Sequence, residues 1–181
     1  MSKKLVSLFL VLLMIFSMAT VMAESNTITV TDMFGREVTI EGTVTRIIAL
    51  EPSDCEMLCA IGCEDALVGR GKYCDYPASV LELPAVQSGA DTNLEEILAL
   101  QPQVVVMSDM AHTEEQINLL EQNGVKVIGT DANSIEEVYE SVRLLGVVMG
   151  KEAEAETIVA GMQATFADIA AKSEKTDKTI Y

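Results

Sequence analysis

The apolar residues of this chain fall into short runs of strand length that alternate with stretches of helical spacing. The predicted strands are residues 46–50, 66–68, 104–107 and 125–128. The predicted helices between and after them are residues 54–61, 94–100, 113–122 and 134–148. Strands that alternate with helices in this way predict an α/β fold, with a mostly parallel sheet flanked by helices.

A β-hairpin is predicted ahead of the first of these strands. β-Branched residues alternate with others along 27–33 and 36–40, on either side of the turn Phe34-Gly35.

A long helix is predicted near the other end of the chain, from Lys151 to Lys172. At ~1.5 Å per residue it would be roughly 33 Å long. The apolar positions expected to face inward are Ala155, Ile158, Val159, Met162, Phe166, Ile169 and Ala170. A charged spacer follows, and Thr179-Ile180-Tyr181 is typical of the opening of a strand, which suggests a fragment of a longer protein.

Local sequence also predicts where helices begin. Pro52 suits an early helical position, and Glu136 or Glu137 completes a capping box in the helix at 134–148. The predicted cap residues are Ser53 or Asp54, Thr92 or Asn93, and Ser134.

Residues 1–23 have the layout of a secretory signal peptide. Lys3 and Lys4 precede a mostly apolar run at 5–16, and small residues end at Ala23. The run is short for a bilayer-spanning helix, which needs about 20 residues, and an uncleaved anchor is the alternative. No cysteine follows until Cys55, so no lipobox is seen. We expect an exported protein, in the periplasm or at the extracellular face of the cytoplasmic membrane.

Charge narrows the range of partners. The chain has a net charge of −16, and removal of residues 1–23 leaves 10 basic against 28 acidic side chains, a net charge of −18. Such a surface repels nucleic acid and anionic lipid, so we expect no nucleic-acid partner. The remaining 158 residues suffice for one domain, which we expect to be a monomer.

Cys55, Cys59 and Cys63 lie four residues apart, which places them along one face of a helix. Their neighbours are apolar, so buried packing is the preferred interpretation over a metal site. A bridge between Cys63 and Cys74 is a further possibility.

The loops that follow the predicted strands should meet at one edge of the sheet, here called the rim. These loops are residues 51–54, 69–77, 88–91 and 108–112. Residues 69–77, the tyrosine loop, are expected to leave the strand at Gly69 and Gly71 and to present Tyr73 and Tyr76. The candidate ligand-binding residues on the rim are Pro52, Ser53, Tyr73, Asp75, Gly89, Ser108 and Asp109.

Each candidate has a structural alternative. Tyr73 can pack on the next helix, and Tyr76, which precedes Pro77, favours a structural role. Asp75 can order its loop through hydrogen bonds to the backbone, and Asp109 can be a solvated loop acid.

The rim carries no recognisable catalytic machinery. No glycine-rich phosphate loop or nucleophile elbow follows any strand, and the single histidine, His112, has no ligand neighbour at metal spacing. We therefore predict no catalytic residues, no metal site and a binding function.

Five segments resemble one known family. ITVTDMFGREVTI, RIIALEPSDCEMLCAIG, LVGRGKYCDYP, NLEEILALQPQVVV and LLEQNGVKVI, in this order, look like the first lobe of ABC-importer substrate-binding proteins for iron chelates, haem and vitamin B12. The resemblance implies two Rossmann-like lobes joined by a long helix, with the ligand between them. Residues 24–150 would be the first lobe, 151–175 the connecting helix and 176–181 the start of a second lobe that is missing here.

The resemblance also implies roles for two residues. KYCDYP is most similar to the cobalamin binders, where the tyrosine that matches Tyr73 faces the corrin. Glu95 matches an acid that docks on arginines of the membrane permease. Some cobalamin binders carry a tryptophan near the position of Gly89, and this chain has no tryptophan. The ligand thus remains a corrinoid, a haem or an iron siderophore, each of which carries its own metal, so no further cofactor is expected.

The sequence therefore predicts a solute-binding component that delivers such a ligand to an ABC permease. Two alternatives stay open, a secreted enzyme on the same fold and a non-transporting adhesion or sensor module.

Overall fold

The computed structural model describes residues 26–89, 91–108 and 114–173. The strands of this part are β1 Thr27–Thr31, β2 Glu37–Glu41, β3 Ile47–Ala49, β4 Leu67–Gly71, β5 Ala85–Val86, β6 Val104–Met107 and β7 Lys126–Gly129. Its α-helices are α1 Pro52–Ala60, α2 Leu94–Ala99, α3 Glu114–Gln122, α4 Ile135–Met149 and α5 Glu152–Lys172. Short 3₁₀ helices occupy Glu64–Ala66 and Ala78–Glu82.

The central sheet of the described residues is parallel throughout. Its strands lie in the order β5-β4-β3-β6-β7, while β1 and β2 pair as the predicted antiparallel hairpin. The chain moves outward from β3 to β5, then returns to place β6 on the other side of β3. This reversal makes a topological switch point between β3 and β6, and the predicted α/β class is confirmed.

Alternate residues of the central strands pack into two separate apolar layers. Ile47 and Ala49 face a core shared with α1, α4 and α5, whereas Ile48 faces the layer that contains Ile97 of α2 and Leu120 of α3. Since successive side chains point to opposite faces of a sheet, burial on both faces makes the central strands β3 and β6 continuously apolar. This explains why the runs at 104–107 and 125–128 are recognisable in the sequence.

Strand β4 is longer than predicted, and the two glycines that were predicted to end it lie inside it. The prediction ended the strand at Val68 and let the tyrosine loop begin at Gly69, but β4 continues to Gly71. A Cβ on Gly69 would lie 2.6 Å from Leu100 Cδ1. Gly69 and Gly71 therefore permit close packing inside the sheet and do not break the strand.

Two of the predicted helix caps are confirmed and one is wrong. The side chains of Asn93 and Ser134 accept hydrogen bonds from the amides of Glu96 (3.2 Å) and Glu137 (3.2 Å). Helix α1, however, begins at Pro52, with Glu51 at its cap position and no side-chain cap. Neither predicted cap of that helix forms, because the chain is helical from Pro52 onward.

Helix α5 follows its predicted pattern only in its first half. Ala155 and Val159 are buried, with Ile158 and Met162 packed beside them. Phe166 and Ile169, predicted to face inward, are 42% and 55% exposed, and Ala170 is exposed too. After Met162 every described residue of the helix is exposed, because no described part of the chain covers these side chains.

An ion pair between the buried Asp32 and Arg36 attaches the hairpin to the sheet, and it was not predicted from the sequence. The Asp32 carboxylate accepts hydrogen bonds from Arg36 Nη2 (2.6 Å) and from the amide of Gly129 at the end of β7 (3.0 Å). Arg36 also donates to the carbonyl oxygen of Val127 (2.9 Å) and to Glu121 (3.1 Å). The pair therefore joins β1, the hairpin turn and β7.

Several predictions lie outside the described residues and remain predictions. They concern the signal peptide at 1–23, Asp109, His112 and the strand opening at 179–181. The boundaries at 24–150, 151–175 and 176–181 are likewise left as predicted. Among the described helices, none is long and apolar enough to cross a membrane.

Candidate functional site

The rim is the edge of the sheet where the five parallel strands end. Loops leave β3, β4, β5, β6 and β7 at this edge, because parallel strands all point the same way. Four of these loops were predicted to meet here, and the fifth, after β7, was not. Ligands of open α/β sheets bind at such an edge, next to the switch point.

A cavity of about 560 Å³ opens on the rim at this switch point. Its lining comes from the start of α1, the end of β6, the loop after β7 and helix α4. Three predicted residues, Pro52, Ser53 and Ser108, line it together with Thr130 and Asp131. The loops around β3 and β6 therefore build a concave site.

Asp54 lies in this cavity as a buried carboxyl group. Only 1% of the residue is exposed, and Oδ1 accepts a 2.7 Å hydrogen bond from the Thr130 hydroxyl. Oδ2 has no hydrogen-bond partner among the described residues. From its sequence position Asp54 was predicted only as a helix cap, although an acid a few residues after a buried strand is a signal that could have indicated the site.

Burial changes the titration of Asp54. Desolvation raises its pKa from 3.8 to about 7, the Thr130 hydrogen bond opposes this rise, and the negative charge of Glu51 adds to it. Because the pKa is higher in the folded state, the folded protein binds more protons than the unfolded chain between those two values. The contribution of Asp54 to stability therefore falls as the pH rises through this window and is constant above it.

We expect Asp54→Asn to be more stable than the wild type at pH 8, by about 1–3 kcal/mol. The full shift in pKa corresponds to roughly 4 kcal/mol, from which an unpaired buried amide N–H subtracts about 1–3 kcal/mol. Near pH 4 the same amide leaves the variant less stable. Urea unfolding followed by circular dichroism between pH 4 and pH 8 measures the difference. Glu82 is exposed, and Glu82→Gln is the control. A difference in the free energy of unfolding between Asp54→Asn and the wild type that is the same at every pH would contradict the assignment.

The tyrosine loop presents both aromatic rings to solvent. Tyr73 is 65% exposed and Tyr76 is 66% exposed, so the alternative that Tyr73 packs on the next helix does not apply, and the structural role of Tyr76 stays a prediction. The Lys72 ammonium group lies 5.8 Å from the centroid of the Tyr73 ring. The loop leaves β4, next to β3, and Tyr73 does not line the cavity itself.

Arg70 supports the tyrosine loop through hydrogen bonds to its carbonyl oxygens, a role that was not predicted from the sequence. Its buried Nη1 donates to the carbonyl oxygens of Cys74 (2.9 Å), Gly71 (3.3 Å) and Lys72 (3.4 Å). The Asp75 side chain is exposed and makes no hydrogen bond with a described residue. As an alternative to binding ligand, Asp75 was predicted to order the loop through hydrogen bonds. That alternative is wrong, because the buried Arg70 binds the loop carbonyls and Asp75 points outward.

The cysteines pack as small apolar residues. Cys55, Cys63 and Cys74 are buried, Cys59 is half-buried, and all four are free. Cys74 donates a hydrogen bond to the carbonyl oxygen of Ala49 (3.8 Å). Cys74 and Cys55 also form a hydrogen bond with each other, and this bond together with burial raises the pKa of Cys55. The bridge considered between Cys63 and Cys74 is absent.

The remaining predicted residues lie farther along the rim. Gly89 adopts a positive φ of 97° after β5, where its carbonyl oxygen accepts from the Thr92 hydroxyl (2.5 Å). Glu95 is exposed in the first turn of α2 and contacts no described side chain. The structure thus brings Pro52, Ser53 and Ser108 together, with Tyr73 and Asp75 on the adjacent loop.

Sequence comparisons match most of the chain to known proteins. A family model described as periplasmic binding protein matches residues 47–181. A Bacillus subtilis protein, an uncharacterized ABC transporter substrate-binding lipoprotein called YvrC, is 30% identical over 154 residues, covering 83% of this chain and 49% of that protein. The vitamin B12-binding protein of Salmonella paratyphi A is 37% identical over 102 residues, 56% of this chain and 38% of that protein.

Solved structures share the fold. A periplasmic solute binding protein from Veillonella parvula superimposes with a TM-score of 0.73 at 23% identity, over 84% of this chain and 50% of that one. A periplasmic heme binding protein from Pseudomonas aeruginosa gives 0.67 at 24% identity, over 70% and 46%. At these identities the likeness concerns the fold alone. The chain spans about half the length of the curated relatives it matches.

Proposed function

This chain belongs to the periplasmic binding protein family, and from that premise we propose that it acts in the substrate-binding component of an ABC importer. Its ligand is a metal-containing macrocycle or chelate, namely a cobalamin-like corrinoid, a haem or a ferric siderophore. The protein captures this ligand outside the cytoplasm and delivers it to the permease. It performs no catalysis, and the metal arrives with the ligand.

One observation carries the proposal. An aromatic loop with two exposed tyrosines and a concave cavity lie on the same edge of one sheet. Two exposed aromatic rings on one loop offer a surface of the kind that marks binding sites. A flat conjugated ligand with polar side groups suits this combination, because the rings supply stacking area and the cavity supplies polar contacts. The vitamin B12-binding relative supports the same ligand class.

In this proposal, Glu95 docks on the permease when the ligand is delivered. Its exposed carboxylate at the start of α2 has no described partner, and it is free to pair with a basic group of a membrane subunit. The ligand sits on the rim, at the cavity and beside the tyrosine loop.

We expect titration with cyanocobalamin, haemin and a ferric siderophore to show saturable binding of one of them. Absorbance of the ligand and quenching of tyrosine fluorescence report the complex. Tyr73→Ala should weaken binding about 2- to 10-fold, since an aromatic contact is worth about 0.5–1.5 kcal/mol beyond its burial. Leu81→Ala, an exposed apolar residue just beyond the loop, is the matched control. Failure of every probe to bind would overturn the proposed ligand class.

A further inference from the structure

The cavity at the switch point is acidic, which limits the kinds of metal chelate that it can bind. The acids that line it are Glu51, Asp54, Glu56 and Asp131. Hydroxyl groups of Ser108 and Thr130 lie among them, and none of the described lining residues is basic. Arg36 and Arg70 are engaged elsewhere, because Arg36 pairs with Asp32 and Arg70 binds the carbonyls of the tyrosine loop. An anionic group in this cavity would meet only like charge.

Asp54 supplies a second, independent observation. Its carboxyl is almost wholly buried, Oδ1 is taken by Thr130, and Oδ2 has no partner among the described residues. A buried polar atom without a partner is costly, and native proteins seldom retain one without a role. The missing partner is a hydrogen-bond donor, and Asp54 is one of the residues that line the cavity.

Resting on the proposed function, we propose that this cavity receives an N–H group of the ligand on Asp54, directly or through one water. The ligand is accordingly a neutral or cationic chelate that carries carboxamide or ammonium groups. A corrinoid with amide side chains and a hydroxamate siderophore with a free amine share this chemistry. Haem with ionised propionates and catecholate or carboxylate siderophores do not.

The pH dependence of binding follows from the groups that face Asp54. Glu51 and Glu56 line the cavity with it on the α1 side and Asp131 does so in the loop after β7, whereas α4 and the end of β6 contribute Val138, Ser141 and Ser108, which do not titrate. An N–H donor favours the ionised form of Asp54, so binding releases a proton below neutral pH. With a pKa of about 7, the ionised fraction rises from about a tenth at pH 6 to about nine-tenths at pH 8. Affinity should therefore rise by up to about 10-fold over this range.

The test titrates the full-length protein with four probes by isothermal calorimetry at pH 6 and pH 8. Cyanocobalamin is neutral, ferrioxamine B is cationic, and haemin and ferric enterobactin are anionic. We expect a neutral or cationic probe to bind, and both anionic probes to bind more than about 10-fold more weakly. Asp54→Asn should lower the affinity of the bound probe and remove its pH dependence. Glu82→Gln removes one exposed acid outside the cavity and should change neither.

The outcomes separate this inference from the function on which it rests. Tightest binding of an anionic probe would overturn the inference and leave the importer role intact. An unchanged pH dependence in Asp54→Asn would also overturn it, and that variant is expected to fold because it relieves a buried charge. Binding of no probe at all would overturn both.

Discussion

Gly71→Ala should lower the free energy of unfolding by more than about 3 kcal/mol, the upper end of the range for overpacked sites. A Cβ on Gly71 would lie 2.7 Å from the carbonyl carbon of Leu50 and closer still to its oxygen. These are backbone atoms of the segment that follows β3, so no side-chain rotation can relieve the overlap. Strand β4 would have to move away from β3, and the tyrosine loop would move with it.

Urea unfolding followed by circular dichroism measures this loss. Gly161→Ala is the matched control, because nothing lies within 4 Å of a Cβ at that helical position. It should stabilise the protein slightly, by up to about 1 kcal/mol, since alanine favours helix more than glycine does. Equal stability of Gly71→Ala and the wild type would show that β3 and β4 are not packed as described.

Asp32→Ala is the second substitution with a large expected effect, a loss of about 3 kcal/mol, the lower end of the range for a broken buried pair, because Arg36 is 28% exposed and keeps Glu121 as a partner. The substitution leaves the Arg36 guanidinium without its buried partner and leaves the amide of Gly129 without an acceptor. The hairpin would then lose its attachment to β7. Thermal and urea unfolding at neutral pH measure the loss.

An exposed ion pair provides the comparison for Asp32. Arg143 and Glu156 join α4 to α5 at 2.7 Å, but both side chains are open to solvent. Glu156→Ala should therefore change stability very little, because water replaces an exposed partner at small cost. If Asp32→Ala were as mild as Glu156→Ala, the proposed role of the buried pair would be wrong.

Predictions from sequence succeeded where one segment contains the whole signal. The strand at 104–107 is buried on both faces, so its apolar run is visible without knowledge of its neighbours. The caps Asn93 and Ser134 act on amides three residues away. The edge at which the strands end was predicted correctly, because alternation of strands and helices itself implies parallel strands.

Predictions failed where the deciding partner is distant in the chain. The glycines of β4 were interpreted as a loop signal, whereas they accommodate Leu50 and Leu100. Asp54 was considered a cap, whereas its carboxyl meets Thr130, which is 76 residues away. No pattern within a short window distinguishes a glycine that ends a strand from one that admits a neighbour.

By itself, then, the sequence determined the α/β class, the order of its elements, the edge on which the loops meet and the acidic character of the chain. Only the tertiary structure decided that Asp54 lies buried with one oxygen unpaired, that Arg70 supports the tyrosine loop and that Asp32 holds the hairpin on β7. The physical reason is that periodicity and capping depend on near neighbours, whereas burial, desolvation and steric fit depend on residues that folding alone brings together.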